Sequence, residues 1–233
     1  MSADAGGLDT PGFFVSGTDT GAGKTVAACG LVRALRARGI DAGAMKPIET
    51  GVGDAGPLDA LALQAAAGGT DRLEDVCPIQ FPLPAAANVA AAHAGRSIDL
   101  DLIREAFDRL AARHAVVIVE GAGGLLAPCS DHSSMADLAK ELGLPLILVA
   151  RSALGTINHT RLCLEAAASR NLPVVGVVVS HTNGPLSEAD AANFEHLRES
   201  LGEDLIGEIP PLAEGEEVDP SCFDLGPLIA RLR

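Results

Sequence analysis

The stretch GFFVSGTDTGAGKT, Gly12 to Thr25, decides the fold. Its first six residues are small or apolar and read as a buried strand. The strand feeds a loop carrying Gly17, Gly21 and Gly23, which closes in Gly23-Lys24-Thr25 at the start of a helical pattern. Strand, glycine loop and helix in that order form the setting of the phosphate-binding pattern G-x-x-x-x-G-K-[ST]. Counting back from Gly23, the first glycine belongs at position 18. Thr18 stands there, and the glycine comes one residue early, at Gly17. The phosphate-facing half is intact. Gly21 and Gly23 let backbone N–H groups point inward, and the helix behind them adds its positive end. Lys24 supplies a charge for the β- and γ-phosphates, and Thr25 a hydroxyl for Mg²⁺. A purely structural turn has no use for that pair.

Working outward, strands alternate with helices. A helix is expected over 24–38, with Val26, Leu31 and Leu35 on its apolar face and Gly39 ending it. DAGAMKP reads as a second strand ending at Lys46 and Pro47, 50–57 as a loop and 58–67 as a helix. Residues 77–97 read as irregular or broken helix, and 99–113 as a helix capped by Ser97 or Asp99. AVVIVEGAGG, LPLILVA and LPVVGVVVS are runs of apolar, often β-branched residues, the mark of strands covered on both faces. Helices are expected between and after them, over 134–142, 156–170 and 187–201. LIGEIP reads as a last strand and 226–231 as a closing helix. The acidic segment AEGEEVDP reads as a solvated loop. The expectation is an α/β fold: a doubly wound, mostly parallel sheet with helices on both faces, of the P-loop NTPase type. A disordered leader is expected over 1–12 and a single domain over 13–233.

The 233 residues suffice for one well-buried domain. A net charge of −14 argues against general binding to nucleic acid or anionic lipid, which need a basic footprint. Five cysteines, with no C-x-x-C pair, suit reduced, mostly buried thiols. With no signal peptide and no membrane-length apolar run, the expected location is the cytoplasm.

Ligands of open α/β sheets lie beyond the carboxyl ends of the strands. Four groups stand there: the glycine loop, Lys46 with Thr50, Glu120, and the segment from Ser180 to Asn183. Glu120 could reach a Mg²⁺ ion across from Thr25. Asp59 fits either a helix cap or a second Mg²⁺ carboxylate. Lys46 reads as a second cation facing a transferring phosphoryl group. His159 reads as polar packing and His181 as a loop residue.

GTDTGAGKT, MKPIETG, LDALAL, VEGAGG, LGTINHT and GEIP occur in the order seen in the dethiobiotin synthetase family, which the chain resembles over about 13–212. That family also places its first loop glycine one residue early. The resemblance implies ATP-dependent conversion of 7,8-diaminononanoate and CO₂ to dethiobiotin, through a carbamate and a carbamic–phosphoric anhydride. It implies ATP contacts at Asp19, Gly21, Ala22, Gly23, Lys24, Thr25, Val26, Ser180 and Pro210, and Mg²⁺ ligands at Thr25, Asp59 and Glu120. It implies catalytic roles for Lys24, Lys46 and Thr20. Substrate contacts are implied at Thr20, Lys46, Thr50 and Gly123, and at Gly155, Thr156, Ile157 and Asn158 contributed by the partner of a homodimer.

Three positions depart from the family's best-known bacterial members. Gly21 replaces a loop glutamate, Ser180 replaces an adenine-reading asparagine with Asn183 nearby in another register, and Ala87 replaces a proline. Two rivals share the loop. A cobyrinate diamide synthase-like amidation enzyme would need a glutaminase, for which the chain has neither length nor motif. A partitioning or assembly ATPase would carry a signature lysine where Asp19 stands.

Overall fold

In a computed structural model, residues 11–181 and 186–232 are described. The elements are β1 (Gly12–Gly17), α1 (Lys24–Ala37), β2 (Ala42–Met45), β3 (Ile48–Thr50), α2 (Leu58–Ala66), α3 (Leu73–Val76), β4 (Ile79–Phe81), α4 (Ala87–His93) and α5 (Leu100–Ala111). They continue with β5 (Val116–Gly124), α6 (Met135–Glu141), β6 (Leu146–Arg151), α7 (Thr156–Ser169), β7 (Val174–Ser180), α8 (Glu188–Leu201), β8 (Leu205–Ile209) and α9 (Gly226–Ile229). Six strands form one parallel sheet in the order β2-β5-β1-β6-β7-β8.

Strand alternation divides the core. Phe13 and Val15 of β1 pack with Leu31 and Leu35 of α1 and Leu63 of α2, while Phe14 faces the other way, into a cluster with Ile103, Phe107 and Leu110 of α5. Both faces are therefore covered, which is why the central strands read as unbroken apolar runs. The connection after β1 crosses to β2 at one edge and the later connections run toward β8 at the other. The doubly wound, mostly parallel sheet expected from the sequence is the fold observed.

Some local readings change. Residues 48–50 and 79–81 pair as a second, two-stranded parallel sheet, where only Thr50 fell in the expected loop and 79–81 in the stretch expected to be irregular. Three-residue strands are too short to show a period of two. Asp99 is the cap of α5, its Oδ1 accepting the N–H of Leu102 at 3.1 Å. The acidic segment is not simply solvated: Val218 is buried in the core beside α1, and Glu217 pairs with Arg33 at 2.7 Å. Of the expected leader, residues 1–10 lie outside the described residues and Gly12 already belongs to β1. Asn183 also lies outside them. Burial pushes the thiols of Cys29 and Cys77 up to about 12, so they pack as inert apolar groups.

Candidate active site

Strands β2, β5 and β1 are neighbours, so the segments leaving their carboxyl ends converge. Lys46 follows β2, Glu120 sits within β5 in register with Val15, and the glycine loop follows β1. Together with the start of α2 they enclose a cleft of about 370 Å³. Its lining includes Thr20, Gly21, Gly23, Lys24, Thr25 and Val26 from the loop side. Lys46, Glu49, Thr50, Asp59, Glu120 and Gly123 face them.

The early glycine has a steric reason. A Cβ on Gly17 would come within 2.9 Å of the Asp19 carbonyl oxygen and 3.2 Å of Cγ and Cδ of Lys24. Gly17 thus makes room for the lysine stem to lie against the strand, with its Nζ donating to the Asp19 carbonyl at 3.1 Å. Gly23, with φ at 88°, caps α1 without a side chain, so the first N–H groups of the helix have no side-chain acceptor at the cap.

A charged cluster lies on the floor. Lys46 Nζ donates to Glu120 Oε1 at 2.5 Å and to Asp59 Oδ2 at 2.8 Å, and Thr25 Oγ1 donates to Glu120 Oε1 at 2.9 Å. Burial alone would lower the Lys46 pKa, but the carboxylates of Glu120 and Asp59 outweigh it and hold it above the ordinary lysine range. Asp59 is the converse: burial would raise its carboxyl, and the hydrogen-bonded Lys46 and the charge of Lys24 hold it below the ordinary range. Lys24 is held below the ordinary lysine value, by burial first and by neighbouring Lys46, against the pull of Glu120, Asp59 and Asp19.

The donor set suits a hard cation. Glu120 is buried, and its Oε2 has no hydrogen-bond partner. Such an atom, beside a hydroxyl and a second carboxylate, fits Mg²⁺, which takes one or two carboxylates together with substrate phosphates and waters. Among the described residues no group of three or more His, Cys, Asp or Glu could hold a metal unaided.

Two further clefts hold other expected residues, while Asp19 and Ala22 line none of the three. Val26 also lines a cleft of about 500 Å³ with Ser180, His181 and Pro210, at the ends of β7 and β8. The Ser180 hydroxyl is buried there without a partner. His181 is more than a loop residue: it is buried, with Nε2 3.0 Å from Glu208 Oε1 and its ring edge-on to Phe194. Gly155, Thr156, Ile157 and Asn158 line a separate cleft of about 370 Å³ at the start of α7, with Arg161 and Asn193. Within one chain they do not line the loop cleft.

The sequence itself matches a family model described as an AAA domain over residues 11–218. An ATP-dependent dethiobiotin synthetase BioD of Anaeromyxobacter dehalogenans (strain 2CP-C) is 50% identical over 196 residues, covering 82% of this chain and 87% of that one. The same-named protein of Aromatoleum aromaticum is 42% identical, covering 86% and 91%. This chain belongs to the dethiobiotin synthetase family.

Membership makes it an ATP-dependent ligase of biotin biosynthesis. Solved structures show the fold alone. A ParA family ATPase from Chlorobium tepidum TLS superposes with a TM-score of 0.53 at 13% identity, over 88% of this chain and 87% of that one. The MinD cell division protein of Aquifex aeolicus does so with 0.51 at 13%, over 87% and 83%. The sheet is thus shared with those two proteins, while the sequence places the chain among the synthetases.

For a synthetase-family cleft, the sequence reading missed Glu49. This buried carboxylate accepts the N–H groups of Asp59 at 3.0 Å and Ala60 at 2.9 Å, the donors a cap would satisfy. Asp59 is therefore not the cap of α2; it sits inside the first turn, behind Pro57. The signal was present as an acid three residues after Lys46 and a helix start with no Ser, Thr, Asp or Asn at the cap. Burial pushes the Glu49 carboxyl up, against the two N–H groups that favour its charged form.

Proposed function

We propose that the chain carboxylates 7,8-diaminononanoate and closes its ureido ring at the cost of ATP, giving dethiobiotin, ADP and phosphate. The observation that supports this best is the cleft floor. Two lysines of opposite pKa tendency stand beside a hydroxyl and two carboxylates, in front of the glycine loop.

In this reading one substrate amine forms a C–N bond to CO₂ and loses a proton, giving a carbamate. A carbamate oxygen then bonds to the γ-phosphorus as the bond to ADP breaks. The second amine attacks the carbonyl carbon of that mixed anhydride, a C–N bond forms, and phosphate leaves. Gly21, Ala22 and Gly23 hold the phosphates with backbone N–H groups, and Lys24 offsets the charge that transfer spreads over the γ-oxygens. Asp19 orders the loop, its Oδ1 accepting the N–H of Thr20 at 2.7 Å. Lys46 orients the carbamate, while Thr20, Thr50 and Gly123 line the amine end. Val26, Ser180 and Pro210 flank the base.

Thr25, Asp59 and Glu120 would hold Mg²⁺, which when bound supplies positive charge to the phosphate oxygens. The remote carboxylate of the diamine belongs at Gly155, Thr156, Ile157 and Asn158 of a second copy. There a 14-residue helix begins at a glycine with φ at 93° and no side-chain cap, and the buried Thr156 hydroxyl lacks a partner. This makes the working form a homodimer, and we place it in the cytoplasm. No helix among the described residues is long and apolar enough to cross a membrane.

The test is phosphate release from Mg·ATP with diaminononanoate and bicarbonate, each omitted in turn. Release is expected only with all components. Turnover indifferent to the diamine would instead favour a partner-switching ATPase.

A further inference from the structure

Glu49 is the middle residue of β3, yet its side chain reaches another element. Oε1 accepts the N–H of Asp59 and Oε2 that of Ala60, at 3.0 and 2.9 Å. These are the second and third residues of α2, whose cap position holds Pro57 with no side-chain hydrogen bond. A helix start is ordinarily satisfied by the residue beside it. Here the acceptor comes from ten residues upstream, and it is buried. Two N–H groups and the positive end of the helix offset the cost of burying that carboxylate.

A local serine cap would close α2 equally well but would not tie it to β3. We infer that Glu49 is a positioning residue, clamping the start of α2 onto β3 so that the Asp59 carboxylate is held over the cleft floor beside Glu120. The inference rests on the metal role proposed above for Asp59. Asp59 is gripped at both ends: its N–H by Glu49, and its Oδ2 by Lys46 at 2.8 Å. The second grip holds only the end of a side chain that is 42% exposed and does not fix the backbone of the helix start. The same β3 carries Thr50 into the cleft, and Lys46 lies two residues before it. One carboxylate thereby sets the spacing between the metal side and the substrate side of the site.

The experiment is calorimetric titration with ADP, with Mg²⁺ and with EDTA, on wild type, Glu49→Ala, Glu49→Gln and Asp59→Asn. Metal-free ADP reads the glycine loop, and the gain on adding Mg²⁺ reads the metal side. Glu49→Ala is expected to cut the Mg²⁺-dependent gain about tenfold, the scale of lost partners of metal ligands, with metal-free affinity unchanged. Glu49→Gln keeps one acceptor oxygen and should lose less than Glu49→Ala. An unchanged gain in Glu49→Ala, or an equal loss with EDTA, overturns the inference. If Asp59→Asn also keeps the full gain, the metal role of Asp59 falls and takes this inference with it. If Asp59→Asn loses the gain while Glu49→Ala keeps it, only the role of Glu49 falls.

Discussion

Lys46 Nζ lies 2.5 Å from Glu120 Oε1, and both side chains are buried. Removing Lys46 leaves the buried Glu120 charge with the Thr25 hydroxyl and the field of Lys24 but no ion-pair partner, at a cost of about 3 kcal/mol or more. Lys46→Ala is therefore expected to lower the unfolding temperature by about 10 °C, given a chain of this size. Joint replacement, Lys46→Met with Glu120→Gln, should recover most of that loss while leaving no turnover. Thermal unfolding followed by circular dichroism checks both. A Lys46→Ala protein as stable as wild type would mean that the pair is solvated.

Lys24 and Lys46 are displaced in opposite directions, and the pH profile should separate them. Burial holds Lys24 below its ordinary pKa of 10.5, so it loses its charge first as pH rises. Lys46 is held above the same value by Glu120 and Asp59 and stays charged through that range. The free protein's affinity for ADP should fall on the alkaline side, below pH 10.5. In Lys24→Gln it should be weaker and flat over the same range. For stability the sign is reversed: the folded state favours neutral Lys24, so stability from this group grows as pH rises from its folded pKa to 10.5. Binding that stays constant up to pH 10.5 in the wild type would show that Lys24 is not the phosphate lysine.

How much of this site the sequence exposed depends on the range of each cause. Lys24 and Thr25 were legible because loop, helix start and residue types are local. Glu120 was legible because the apolar run before it reads as a buried strand, although that strand runs on past it to Gly124. Glu49 was missed because its role is set by a contact to α2, and a three-residue strand leaves no periodic trace. That Gly155–Asn158 line a cleft apart from the loop cleft is a tertiary fact, which spacing along the chain does not encode.

Gly17 and Gly21 differ in what they need. Gly17→Ala would drive a Cβ against the Asp19 carbonyl and the Lys24 stem. Displacing the lysine should weaken ADP binding about tenfold or more, the worth of one charged hydrogen bond. Gly21 has φ at 73° but open space around its Cβ position. Gly21→Ala should cost only the left-handed backbone penalty, about 1 kcal/mol, with a small effect on binding. ADP titrations of the two variants provide the comparison. Equal losses would deny Gly17 its special place.

Ser180 ends β7 with its hydroxyl buried and unpartnered in the cleft that also holds Val26 and Pro210. One hydroxyl can donate or accept by rotating, so it fits an adenine amino group or a carbonyl of another base equally well. An amide offers a donor and an acceptor in fixed positions and discriminates between them. Wild type is therefore expected to use CTP and GTP within about tenfold of ATP, because a flexible single contact leaves no group unpaired. Ser180→Asn should shift the balance toward ATP through KM, with kcat little changed, since the cleft proposed for the base is distinct from the Lys24–Glu120 floor. Ratios of kcat/KM for the three nucleotides in both proteins measure this. A wild type that already rejects CTP and GTP strongly would locate base recognition in other groups of that cleft, of which the His181 imidazole held by Glu208 is the next to change.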